Sequence, residues 1–123
     1  MCRNFSVVCA TRIADASLDF AYIDARHDYK GVLEDLAAFW PKLRRGGIMA
    51  GHDYLTANEI PAAGKRDPTT GALEEDWSVS ADGSREARGP KGAVDDFFSE
   101  ACVPRQVVVT YRETVFNSWM VRK

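Results

Sequence analysis

Apolar and polar positions alternate between two periods along residues 18–54. Leu18 to Ala25 is an almost continuous apolar run that carries Asp24 near its end. Such a run predicts a strand covered on both faces. Tyr29, Val32, Leu33, Leu36, Ala37, Trp40 and Leu43 then recur on one stripe of a 3.6-residue period. They predict an amphipathic helix. Asp28 precedes it with a side-chain oxygen suited to capping. Pro41 is expected to kink or end the helix. Gly46-Gly47 is expected to supply its left-handed exit. Ile48 to Gly51 predicts a short buried strand closing on His52-Asp53, with Gly51 admitting a close approach of the backbone to a ligand.

The flanks read less regularly. Phe5, Val8, Cys9 and Ile13 stand at helical spacing and predict a helix from Asn4 to Ala14, with Asp15-Ala16-Ser17 as its turn. Thr56 to Arg88 is rich in Gly, Pro, Ala, Asp and Thr, with one hairpin expected at Asp76 to Ser84. Long irregular segments in compact domains are often lids or binding loops. Trp77 lies in that segment as a lid residue or a local packing anchor. Gly89-Pro90 opens a further helix with Ala93, Val94, Phe97, Phe98 and Ala101 as its buried stripe. Gln106 to Tyr111 and Phe116 to Arg122 predict an antiparallel hairpin through residues 112–115.

The 123 residues suffice for one small domain. A net charge of -2 exerts no strong pull toward nucleic acid or an anionic membrane. No apolar run approaches the roughly 20 residues of a membrane span. The N-terminus lacks a signal-peptide pattern, and Cys2, Cys9 and Cys102 lack disulfide-framework or zinc spacing. These features predict a reduced, cytoplasmic setting, with Cys9 and Cys102 as buried small apolar residues.

A strand–helix–strand unit brings Asp24, His27, His52 and Asp53 to one carboxyl edge of a sheet, where open α/β sheets bind ligands. Two carboxylates and an imidazole suit a divalent ion. His27, three residues past Asp24, is a candidate general base because imidazole titrates near neutrality. Capping by the acids and backbone satisfaction by the histidines remain open as a structural alternative.

The stretch DASLDFAYIDARHDYKGVLEDLAAFWPKLRRGGIMAGHDY resembles the C-terminal half of class I S-adenosylmethionine-dependent methyltransferases, most nearly the small-molecule O-methyltransferases. GPKGAVDDFF resembles the helix after the fifth strand of that family, and NSWMVRK its antiparallel last strand. The resemblance implies an α/β fold. It would be a partial Rossmann-like sheet in the order 4-5-7-6, last strand antiparallel, with flanking helices. It implies S-adenosylmethionine as cofactor and a divalent metal, Mg²⁺ first, on Asp24, His52 and Asp53. It gives His27 the part of base, and Asp24 and Arg26 contact with the cofactor. No GxGxG loop is present. The chain is therefore expected to be one domain, residues 1–123, equivalent to the C-terminal half of the fold, with 56–88 as an insertion. It would act on a small-molecule hydroxyl, without nucleic acid or membrane partners, once completed by a cofactor-binding half. Two alternatives compete: a non-catalytic truncated module that self-associates through an exposed strand-four edge, and a hydroxylase-like or hydrolytic metal site.

Overall fold

The computed structural model describes residues 2–60, 69, 76–112 and 116–123. The chain runs α1 (Ser6–Ala10), β1 (Leu18–Ile23), α2 (Tyr29–Phe39), a 3₁₀ turn (Trp40–Lys42), β2 (Leu43–Gly51), α3 (Gly89–Phe97), β3 (Val108–Arg112) and β4 (Asn117–Arg122). The four strands form one sheet in the order β1-β2-β4-β3. β1 and β2 are parallel, and β4 is antiparallel to both its neighbours. This is the expected 4-5-7-6 arrangement. Residues 113–115 of the expected connection lie outside the described residues.

The core lies on one face of the sheet. Ala21, Ile23, Met49, Trp119 and Val121 meet Val32 and Leu36 of α2, and Ala93, Val94 and Phe97 of α3. Trp119 is 1% exposed and anchors this layer. The helices cover that face because their apolar stripes recur at helical spacing while the strand residues alternate.

The other face departs from expectation. β1 alternates after all: Ala21 and Ile23 are buried, while Phe20 is 54% and Tyr22 49% exposed. The register from Tyr22 across the same face runs through Ala50, which is buried, and the half-buried Met120 to the exposed Val108. An apolar run in sequence marks a strand fit for two covered faces. It does not supply the second cover.

Several local expectations are corrected. α1 is shorter than Asn4 to Ala14, and Phe5 and Val8 of its stripe are exposed. Cys2 and Cys9 form a disulfide, and Cys102 is exposed rather than buried. The bridge was not legible from Cys spacing, because it depends on the segment before α1 folding back to bring Cys2 within 5.7 Å (Cα–Cα) of Cys9. Pro41 does end α2, but through a 3₁₀ turn, and Leu43 already belongs to β2. Gly46, at φ +77°, lies within β2 instead of closing a helix. Ala101 is exposed past the end of α3. Leu55, just before the 56–88 segment, and Ala57 and Ile60 at its start are buried, and Ala57 N–H donates to the Ala87 carbonyl at 2.9 Å. The two ends of that segment therefore adjoin. Residues 61–68 and 70–75 lie outside the described residues.

Candidate active site

Asp24 follows β1 and His52-Asp53 follow β2, and the parallel register sets Ile23 beside Gly51. The spacing is close because Gly51 has no Cβ. One placed there would meet the Ile23 carbonyl at 2.6 Å and the Trp119 ring at 2.7 Å. The approach this glycine permits is to the neighbouring strand and to Trp119. His52 N–H donates to the Ile23 carbonyl at 3.3 Å, which ties the two strand ends.

Asp53 turns out of β2 in the left-handed region, at φ 58°. Asp is among the few residues that tolerate that conformation. Its carboxylate is buried and flanked by both imidazoles. His52 Nδ1 lies 3.0 Å from Asp53 Oδ1, and His27 Nε2 lies 3.3 Å from Asp53 Oδ2. His27 Nε2 is also 3.8 Å from Asp24 Oδ1. Burial pushes the Asp53 carboxyl above the ordinary carboxylate range, and the charge of Asp24 adds to this. His52 and His27 act in the opposite direction.

Among the described residues, donor atoms of Asp24, His27 and Asp53 come within 4.8 Å of one another, and His52 is not of that group. His52 instead faces the Asp53 carboxylate and stacks on Phe116, centroids 6.1 Å apart. Arg26 is directed to the start of α2. Its Nε and Nη2 donate to Asp28 at 2.9 and 3.0 Å, and its Nη1 donates to Glu34 at 3.0 Å. Asp28 also accepts from Gly31 N–H at 3.0 Å, the expected cap.

One participant was left undecided in the sequence. Trp77 stacks on His27 with centroids 4.6 Å apart and planes at 29°. It lies 6.2 Å from the Phe116 ring. Lys30 Nζ donates to Asp82 Oδ2 at 2.5 Å and fastens the turn that carries Trp77 to α2. An aromatic residue alone in a polar loop was the only signal for this position, and it did not indicate which side chain Trp77 would cover.

A groove of about 260 Å³ runs beside β1 to Asp24 and Ala25, with Phe20, Tyr22, Asp35 and Phe39 among its walls. Tyr54, next to Asp53, is turned away from the cluster and donates to Asp95. Burial and that carboxylate raise its pKa.

Comparison with known proteins agrees with this architecture. The model of a methyltransferase domain family matches residues 2–54, a stretch that contains Asp24, His27, His52 and Asp53. A solved protein from Corynebacterium glutamicum superposes with a TM-score of 0.57 at 19% identity, covering 96% of this chain and 44% of that one. A S-adenosylmethionine-dependent methyltransferase from Methanosarcina mazei aligns with a TM-score of 0.45 at 13% identity, covering 90% of this chain and 61% of that one. No curated protein matches the chain. The mixed four-stranded sheet with its flanking helices resembles Rossmann-like methyltransferase folds, and the chain spans less than half the length of the Corynebacterium structure. No helix among the described residues is long and apolar enough to cross a membrane.

Proposed function

We propose that this chain is the acceptor-activating half of an S-adenosylmethionine-dependent O-methyltransferase acting on a small-molecule hydroxyl. The observation that carries the reading is the convergence of His27 with Asp24 and Asp53 at the carboxyl edge of β1 and β2. That edge is where open α/β sheets bind ligands. The methyltransferase match over residues 2–54 supports the choice of chemistry.

In this reading the acceptor hydroxyl binds against His27. The imidazole takes the hydroxyl proton, and the oxygen attacks the methyl carbon of the cofactor sulfonium in line. Asp53, held in place by His52, stabilises the imidazolium that forms. Asp24 is 48% exposed on its side chain and closes the end of the 260 Å³ groove, which supports it as a cofactor contact. Arg26 has the weaker case, because Asp28 and Glu34 already engage its guanidinium. The resemblance adds Mg²⁺ on Asp24, His52 and Asp53, where it would lower the pKa of the hydroxyl. The donors that converge include His27 in place of His52. No step of the proposed reaction passes through the ion.

The test is methyl transfer from labelled S-adenosylmethionine to a panel of hydroxyl acceptors by a protein that contains this chain and a cofactor-binding half. His27→Ala should lower transfer by roughly 10²–10⁴-fold and keep cofactor binding. Absence of cofactor binding by titration calorimetry would sink the reading.

A second reading rests on a separate observation. β1 is the terminal strand of the sheet, beside exposed Phe20 and Tyr22. Unpaired strand edges recruit further strands. This supports self-association of the isolated chain, or pairing with a cofactor-binding half. Sedimentation of the isolated chain as a stable monomer would count against it.

A further inference from the structure

We infer that Asp24, His27 and Asp53 form a site for a borderline divalent cation such as Zn²⁺, and that filling it takes the imidazole nitrogen needed for proton removal. The ion would then switch the centre off rather than assist it. The consequence for turnover rests on the proposed function, whereas the ligand set does not.

The argument begins with distances. Two donors each about 2.1 Å from a shared ion lie roughly 3.0 Å apart at a right angle and about 3.4 Å apart at the tetrahedral angle. His27 Nε2 is 3.3 Å from Asp53 Oδ2 and 3.8 Å from Asp24 Oδ1. Small movements of an exposed Asp24 complete the set. Asp53 needs none, because its backbone turn and its contact with His52 already aim one oxygen at His27. The other oxygen is kept on His52.

His52 is a poor third ligand by the same geometry. Its Nδ1 is spent on Asp53, its ring lies against Phe116, and it stands outside the converging group. It acts as a positioning residue for Asp53, much as partners behind metal ligands orient them.

The donor chemistry selects the ion. One imidazole nitrogen with two carboxylates suits Zn²⁺, Mn²⁺ or Co²⁺, whereas Mg²⁺ prefers an all-oxygen shell. A metal bound to Nε2 occupies the lone pair that would receive the hydroxyl proton. Ion and base therefore compete for one atom.

Acylation by diethyl pyrocarbonate reads the ring's available lone pair, which the reagent attacks and which a bound ion removes. The 123-residue chain would be treated with and without saturating Zn²⁺, and modification of each histidine followed by peptide mass spectrometry. Occupation of the site should slow acylation of His27 about tenfold or more and change that of His52 less than about twofold. Mg²⁺ at the same concentration should leave both rates unchanged. Asp24→Asn, an exposed position whose fold a thermal melt verifies, should remove the Zn²⁺ protection. Protection of His52, of both histidines, or of neither would overturn the inference. Because no cofactor or acceptor is present, a failure of methyl transfer would leave these outcomes unchanged.

Discussion

His27 Nε2 stands 3.3 Å from the Oδ2 of Asp53, a residue held at φ 58° with its other oxygen bound by His52. One carboxylate is thus shared between two imidazoles that arrive from different loops. Its left-handed backbone turns the side chain back over the β1 end, toward Asp24 and His27. The same arrangement places His27 between both carboxylates, while His52 contacts Asp53 from the other side.

Replacing His27 by Ala in a protein competent for methyl transfer should lower kcat by roughly 10²–10⁴-fold, the usual worth of a general base. Asp53→Asn should lower it too, by leaving the imidazolium without its carboxylate. Cofactor affinity, measured by titration, should stay within about twofold for His27→Ala, because the change removes proton acceptance only. A His27→Ala enzyme with unchanged kcat would remove His27 from the reaction.

Gly51→Ala should destabilise the chain by about 1–3 kcal/mol, the cost of overpacking a filled core. The added methyl meets backbone at Ile23 and the buried Trp119 ring, and neither can retreat cheaply. Urea unfolding checks this. Methyl transfer should fall as well, since residue 51 sets the spacing of the strand ends that carry Asp24 and His52.

Asp35 offers a pH signature of stability. It is buried on α2, where Ser6 Oγ donates to it. Burial raises its pKa, and the Ser6 bond only partly offsets that. The folded chain therefore keeps the proton to higher pH than the unfolded chain. This contribution is fully present below the unfolded value of about 3.9 and is lost as pH rises through the folded value. Asp35→Asn has no such loss. From about pH 4 to about pH 7 the Tm of the wild type should fall relative to that of the variant. A relative rise over that interval would contradict the assignment.

Trp77→Ala should raise the acceptor KM roughly two- to tenfold, the equivalent of about 0.5–1.5 kcal/mol for an aromatic pair. The fold should tolerate the change, because Trp77 sits outside the core cluster and Lys30–Asp82 still fastens its turn. Equal KM for variant and wild type would make the His27–Trp77 stack irrelevant to the acceptor.

Much of this molecule was legible in its sequence. Local periodicity carries the strand–helix–strand unit, since helical and extended backbones present side chains at different intervals. The Asp28 cap depends on residues three apart, so spacing alone reveals it. The topology followed from the resemblance, and the strand order agrees. That Asp24, His27, His52 and Asp53 share one edge follows from the parallel crossover. Tertiary structure decided what depends on distant approach. It left Phe20 and Tyr22 exposed among the described residues, and it laid Trp77 over His27 across 50 residues of chain. It also divided two similar-looking histidines into one beside both acids and one behind Asp53. That division turns on a single positive φ and on the direction of two rings. Neither is written in residue order, because both are set by what packs against them.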